Sequence, residues 1–145
     1  MTNIRCDDCP APSPYTCQGN VIYCDHLNLT EVPKFSKSTN VVWDVEFHHN
    51  NIKIIENGAF KNLKLKMLLM YDNEIEVIED DALERSENTL LVLHINNNKL
   101  TLLPSAIRKL NELMGLDIHN NPITAIRKRH HSKCLESAIL HYAWQ

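Results

Sequence analysis

Four of the five cysteines lie close together at the start of the chain. Cys6, Cys9, Cys17 and Cys24 fall within a proline-containing segment, and Cys134 lies near the other end. Four thiols in such a segment can bind zinc or form two disulfides. The spacing C-x2-C-x7-C-x6-C places the last two thiols too far apart for a second zinc knuckle. The pattern therefore favours disulfides, and with them an oxidising, extracellular compartment.

The rest of the sequence lacks the motifs of common enzymes. Only three glycines occur, and neither the Walker pattern nor G-x-G-x-x-G is present, so a phosphate-cradling loop is not expected. No serine lies in a recognisable nucleophile elbow. Eight histidines are present, but no H-E-x-x-H or other spaced ligand motif groups them. Whether these histidines meet depends on the elements that carry them.

Length and charge limit the remaining classes. A chain of 145 residues can form one domain with a hydrophobic core, and 43% of its residues are apolar. The net charge of −3 predicts no binding to nucleic acid or anionic lipid. No apolar run approaches the roughly 20 residues of a membrane helix, and no signal-peptide core follows Met1. If the protein is secreted, we expect the sequence to be a mature form.

The elements that must position these residues follow from an internal repeat. In four copies of one frame, apolar residues occupy places 1, 4, 6 and 11 and an asparagine occupies place 9. The copies are Val42, Val45, Phe47, Asn50, Ile52; Leu65, Leu68, Met70, Asn73, Ile75; Leu90, Leu93, Ile95, Asn98, Leu100; and Leu113, Leu116, Ile118, Asn121, Ile123. The asparagines are 23, 25 and 23 residues apart. A fixed period of this length predicts a solenoid whose units stack to bury their apolar faces.

The frame L-x-x-L-x-L-x-x-N-x-L resembles the signature of the leucine-rich repeat family. The continuations "IIENGAFKNL" and "LLPSAIRKL" resemble two variants seen in that family, and the resemblance covers roughly residues 20 to 126. It implies an α/β solenoid, a leucine-rich repeat horseshoe with short parallel β-strands on its concave face. It also implies a non-catalytic protein that binds a protein partner and needs no cofactor.

The segment "NVIYCDHLNLTEVP" extends the frame one unit backwards, with Leu27 in the asparagine place. A cysteine-rich segment that ends in such a half-repeat resembles the N-terminal cap of secreted leucine-rich repeat proteins. The resemblance implies the disulfides Cys6–Cys17 and Cys9–Cys24, although the sequence alone allows three connectivities. We expect a cap over residues 1–33, four repeats over 34–126, and a basic connection with a capping helix over 127–145.

The asparagines have a structural explanation. In each unit places 3 to 7 are expected to form a strand, with places 4 and 6 pointing inward and 3, 5 and 7 outward. The chain must then turn out of the sheet, which leaves buried backbone groups without partners. A side chain with both a donor and an acceptor can satisfy them. We assign this role to Asn50, Asn73, Asn98 and Asn121.

The outward places 3, 5, 7 and 8 line the concave surface, which we call the open face. Its predicted partner-binding residues are Tyr23, Glu46, His48, Met67, Leu69, Tyr71, Val92, His94, Asn96, Asp117 and His119. Exposed apolar residues rimmed by polar groups are typical of interaction sites. Two alternatives remain: a register wrong by one residue, which would place these side chains in the core, and a C-terminal segment that covers the face.

Five histidines map to the open face: His26, His48, His49, His94 and His119. Solvated histidines are the simplest interpretation, and we expect no metal. A pH-dependent interface is a second possibility. A third is that His26, His49 and Asp72 converge on one cation, because neighbouring strands lie roughly 4.8 Å apart.

Several features lie outside the frame. Asn28 begins the N-glycosylation sequon "NLT", and "RKRHHSK" over residues 127–133 is either a polyanion site or a solvated connection. The end of the chain has an apolar helical face that suits a capping helix. Cys134 is either buried, paired with another chain, or unpaired because a longer chain was cut.

Three functions remain open at this stage. The first is a secreted recognition module, in an immune, receptor- or matrix-binding, or accessory-subunit role. The second is a metalloprotein or enzyme that uses the histidine and aspartate surface. The third is a structural subunit that assembles into homo- or hetero-oligomers through Cys134 or through its last repeat.

Overall fold

Short strands with alternating burial stack side by side to form the main sheet. The computed structural model describes residues 15–37 and 41–125. The six-stranded sheet comprises, in spatial order, β1 (Thr16–Gln18), β2 (Val21–Tyr23), β3 (Val41–Glu46), β5 (Lys64–Leu69), β7 (Val92–His94) and β8 (Gly115–Asp117). β1 and β2 are antiparallel, and every later pair is parallel. Gly19, at φ +60°, allows the tight turn between β1 and β2.

In the register of this sheet, residues at the same place of the repeat frame pair with one another, as the sequence predicts. Ile22 pairs with Val45, Val45 with Leu68, Leu68 with Leu93, and Leu93 with Leu116. All five side chains are buried, so place 4 points into the core. A register wrong by one residue is thereby ruled out for these strands, because it would expose the whole row.

A second, smaller sheet lies on the other side of the solenoid. It pairs β4 (Ile54–Ile55) with β6 (Val77–Ile78) in parallel, and an isolated bridge joins Leu102 to Ala125. Ile55 and Ile78 are buried whereas their neighbours are exposed, which is the alternation that a strand requires. The one helical element in the described residues is α1 (Ser105–Arg108), a single turn.

Between the two sheets the core is apolar and continuous. It contains the frame residues together with side chains from the connecting segments. Phe35, Phe47 and Phe60 contact one another with ring centroids 6.0 to 6.3 Å apart. These aromatic contacts join the first unit to the segment before it, so the array is anchored at its N-terminal end.

The strands end earlier along the chain than predicted. They end at place 5 rather than place 7, although backbone hydrogen bonds between units continue beyond that point, as from Met70 N to His94 O at 2.8 Å. The reason is that place 8 turns the chain out of the sheet with φ between 53° and 56° in every unit. The residues at place 8 are His26, His49, Asp72, Asn97 and Asn120. Histidine, asparagine and aspartate are the non-glycine residues that tolerate this conformation best.

The place-9 asparagines form a ladder of hydrogen bonds along the solenoid. Asn73 shows the pattern: its Nδ2 donates to Phe47 O at 2.9 Å and to Met70 O at 3.2 Å, and its Oδ1 accepts from Ile52 N at 3.1 Å. Asn50, Asn98 and Asn121 repeat it. Each asparagine therefore completes the turn of the unit before its own.

The cysteines differ in part from the pairing that the resemblance implies. Cys17 is disulfide-bonded. Cys24 is a free, fully buried thiol, which contradicts the pair Cys9–Cys24. Cys24 occupies place 6 of its unit and packs in the core as a small apolar residue. Burial, with a smaller contribution from the charge of Asp25, raises the pKa of Cys24 to about 12.

Several sequence predictions lie outside the described residues. They concern Cys6, Cys9 and Cys134, the basic run at 127–133 and the capping helix near the end of the chain. No helix within residues 15–37 and 41–125 is long and apolar enough to cross a membrane.

Candidate functional site

The open face presents two rows of strand side chains. Place 3 carries Val21, Asp44, Met67, Val92 and Gly115, and place 5 carries Tyr23, Glu46, Leu69, His94 and Asp117. All ten residues are partly exposed, because inward and outward places alternate along each strand. The face therefore combines apolar side chains at its centre with polar and acidic ones around them.

The centre of this face is an apolar group on two neighbouring strands. Met67 pairs with Val92, and Leu69, two residues along from Met67, pairs with His94. Tyr71 follows on the same segment and is also partly exposed. Side chains directly opposite on neighbouring strands have Cβ atoms roughly 5 Å apart, so Met67, Leu69 and Val92 form one contiguous patch.

The Tyr71 ring joins this patch to a group of histidines. Tyr71 stacks on His48, with ring centroids 4.7 Å apart and 5° between the planes. The ring of His48 also contacts the rings of His26 and His49, with centroid distances of 5.5 Å and 5.2 Å. The centroids of the His26 and His49 rings are 4.5 Å apart. We call His26, His48 and His49 the histidine cluster. One nitrogen from each of the three rings lies within 4.8 Å of the others.

Each ring of the cluster faces its own carboxylate. His26 Nδ1 lies 2.9 Å from Asp25 Oδ2, and His48 Nε2 lies 3.2 Å from Glu46 Oε2. His49 Nδ1 lies 3.3 Å from Asp72 Oδ2, across the step between two units. Strand spacing suggested that His26, His49 and Asp72 converge. The structure instead groups His26 and His49 with His48, and Asp72 contacts only His49 of these three.

Several acids around the cluster have shifted pKa values. Burial, followed by the negative charge of Glu46, raises the pKa of Asp44 to about 6. For Asp25, burial is outweighed by the hydrogen bond from His26 and by nearby histidine charge, so its pKa is lowered. The pKa of Tyr71 is raised by burial and then by the carboxylates around it. The carboxylates of Asp25, Glu46 and Asp72 surround the cluster with negative charge, which favours cations.

At the other end of the open face, amide side chains bridge successive units. Asn97 Nδ2 donates to Asp72 Oδ1 at 2.6 Å, and Asn120 Nδ2 donates to Asn97 Oδ1 at 2.8 Å. His119 contacts Asp117. The structure corrects the sequence prediction for Asn96, which is only 9% exposed and so is not presented to a partner. Its side chain is enclosed where the chain turns after β7.

Comparison with known proteins bears on this architecture. Residues 89–110, the third unit together with α1, match the family model Leucine Rich Repeat. This match supports the interpretation of the repeat as a leucine-rich repeat. A search of curated proteins finds no match to the chain. Leucine-rich repeats generally mediate protein–protein interaction and typically act as non-catalytic scaffolds.

Some exposed residues of this repeat array were missed by sequence reasoning. Trp43 is 49% exposed, and Lys66 Nζ lies 5.1 Å from its ring centroid, a cation–π contact. Met114 is 74% exposed. All three occupy place 2 of their units, beside the open face. The sequence did contain a signal for these residues. A tryptophan and a methionine at a place outside the apolar frame are expected to point away from the core.

Proposed function

We propose that this chain is a secreted, non-catalytic recognition module that binds a protein partner through its open face. The observation that carries the proposal is the patch formed by Met67, Leu69 and Val92, which stays partly exposed on a sheet whose other face is fully packed. Partly exposed methionine and leucine beside an aromatic ring are typical of the centre of a protein interface.

The surroundings of the patch support a protein partner. Tyr71 offers a flat apolar ring with a hydroxyl, and His94 and Glu46 flank Leu69 on the neighbouring strands. An apolar centre with a polar rim fits a protein surface better than a nucleic acid, which would need basic residues. The biological role follows from the partner, and immune recognition, receptor or matrix binding, and service as an accessory subunit are the candidate roles.

Secretion is supported by two features of the N-terminal part. Cys17 is disulfide-bonded, which is typical of an oxidising compartment. Asn28 of the sequon is exposed, so the oligosaccharide would meet no steric obstacle from the core. Expression through the secretory route of a eukaryotic cell tests this. We expect a mobility shift that an endoglycosidase and the variant Asn28→Gln both remove.

The interface itself is tested by capture from the extracellular fluid of the source organism. The double variant Leu69→Arg, Val92→Arg places two charges in the patch and leaves Tyr71 and the histidine cluster intact. The matched control is Ile54→Arg, Val77→Arg, a pair of residues 47% and 46% exposed on the smaller sheet. We expect wild type and control to capture the same partner and the patch variant to lose it. Equal capture by all three proteins would place the interface elsewhere.

A further inference from the structure

The histidine cluster has the composition of a transition-metal site. Its three imidazoles each offer one nitrogen, and the three nitrogens lie within 4.8 Å of one another. In a tetrahedral zinc site with Zn–N bonds of about 2.0–2.1 Å, ligand nitrogens are about 3.3 Å apart. The gap closes by side-chain rotation, because the side chains of His26 and His49 are 63% and 44% exposed.

One nitrogen of each ring lies beside a carboxylate, a partner that metal-binding histidines commonly have. A histidine ligand almost always donates its other ring N–H to a carboxylate or carbonyl, which fixes the tautomer and orients the ring. Here the three rings face Asp25, Glu46 and Asp72 in turn.

One histidine of the cluster has an unsatisfied ring nitrogen. His48 Nδ1 is buried and has no hydrogen-bond partner among the residues that the structure describes, while Nε2 of the same ring faces Glu46. A buried polar atom without a partner costs about 1–3 kcal/mol, so its persistence calls for an explanation. A metal ion bound to Nδ1 supplies one.

The backbone holds these ligands before any metal arrives. His26 N donates to His48 O and His49 N donates to Tyr71 O, both at 3.3 Å, so the two place-8 residues are tied to the neighbouring units. Tyr71 stacks on the ring of His48 and fixes its plane. The backbone of each ligand is therefore fixed, and only the side chains of His26 and His49 must rotate to bind a metal ion.

We propose that His26, His48 and His49 bind one divalent transition-metal ion, with Zn²⁺ as the expected ion. Three neutral imidazoles suit Zn²⁺, Cu²⁺ and Ni²⁺ and are poor ligands for Ca²⁺ and Mg²⁺, which prefer oxygen. Three protein ligands leave the fourth coordination position open toward solvent. A carboxylate or imidazole of a bound partner can occupy it, because the cluster borders the proposed interface.

The test is a calorimetric titration of the tag-free, oxidised full chain with ZnCl₂, repeated for the double variant His26→Asn, His49→Asn. Asparagine occupies place 8 with the same positive φ at Asn97 and Asn120, so this exchange preserves the fold. The matched control is His119→Asn, a histidine of the same face outside the cluster. We expect wild type and control to bind one equivalent more than the double variant. A tenfold excess of Ca²⁺ or Mg²⁺ should leave that equivalent in place.

Two further measurements keep the proposal falsifiable. Co²⁺ added in place of Zn²⁺ should give the visible absorption of a tetrahedral nitrogen site in wild type and not in the double variant. The single variant His26→Asn, which alters one exposed ligand only, should weaken Zn²⁺ affinity at least about tenfold. No binding by wild type, or equal stoichiometry and affinity in wild type and both variants, would overturn the proposal.

Discussion

The ring of His48 lies flat against the phenol ring of Tyr71, with centroids 4.7 Å apart and 5° between the planes. This stack makes Tyr71 part of two surfaces at once, the apolar patch and the histidine cluster. It also limits rotation of the His48 ring, so Tyr71 is a positioning residue for the proposed metal ion.

The first prediction concerns this stack. Tyr71→Ala frees the His48 ring, and we expect the Kd for Zn²⁺ to rise several-fold, whereas Tyr71→Phe keeps the aromatic face and should retain affinity within about twofold. Competition against a colorimetric zinc chelator measures both values. Equal losses in the two variants would show that the hydroxyl, not the stack, acts on the site.

The second prediction concerns the asparagine ladder. Asn98 Nδ2 donates to Met70 O and Ile95 O at 3.0 Å, and its Oδ1 accepts from Ile75 N at 2.9 Å. Asn98→Ala leaves these buried groups unpaired, and we expect the free energy of unfolding to fall by about 3 kcal/mol or more. Urea unfolding followed by circular dichroism measures it.

The control for Asn98→Ala is Asn111→Ala, because the Asn111 side chain donates to the side chain of exposed Asn88 at the surface. An exposed side-chain hydrogen bond of this kind contributes little, so we expect a change within about 0.5 kcal/mol. Comparable losses in the two variants would contradict a special role for place 9.

The third prediction concerns Cys24. Its thiol is fully buried and its pKa is about 12, so the reactive thiolate is almost absent at neutral pH. We expect iodoacetamide to leave Cys24 unlabelled in the folded protein and to label it in urea without any reductant. Peptide mass mapping reads out both states. A Cys24 peptide that is labelled only after reduction would restore the disulfide that the family resemblance implies.

The fourth prediction concerns the pH dependence of stability. The pKa of Asp44 rises on folding from 3.8 to about 6, so the folded state binds more protons than the unfolded state between these values. Stability contributed by protonated Asp44 is therefore present below about pH 4 and is lost as the pH rises through 6. Asparagine has no charge to bury, so Asp44→Asn removes this loss of stability at high pH. After allowance for screening, we expect the variant to be about 1–2 kcal/mol more stable than wild type at pH 8.

Urea unfolding at pH 8 and at pH 4 measures this difference. The gain from Asp44→Asn should be largest at pH 8 and nearly absent at pH 4. Glu56→Gln, at an exposed position, serves as the control and should change stability little at either pH. A gain that is independent of pH would mean that the amide improves packing and that the carboxylate is not strained.

Much of the fold could be predicted because a repeat constrains it several times over. The spacing of Asn50, Asn73 and Asn98 fixes the period, and the apolar places on either side fix which face of each strand is buried. The observed pairing of Val45 with Leu68 and of Leu68 with Leu93 follows that frame. A prediction shared by four units survives an exception in any one of them.

The parts that could not be predicted depend on the turn. The frame does not show that place 8 adopts a positive φ. It therefore predicts strands that extend two places too far, and it places Asn96 on the surface. The same turn brings the rings of His26 and His49 against His48, which strand spacing alone did not group with them. Cys24 was assigned by analogy to a disulfide, although its place in the frame is a core place.

The direction of the asparagine ladder has a consequence for biosynthesis. Asn73 closes the turn after β3, Asn98 closes the one after β5, and Asn121 closes the one after β7, so each turn needs a residue that is synthesised roughly one unit later. A ribosome adds about 5–20 residues per second, and a unit that has emerged must wait on the order of seconds for its missing partner. Folding during translation should therefore trail synthesis by one unit, with the newest turn always open.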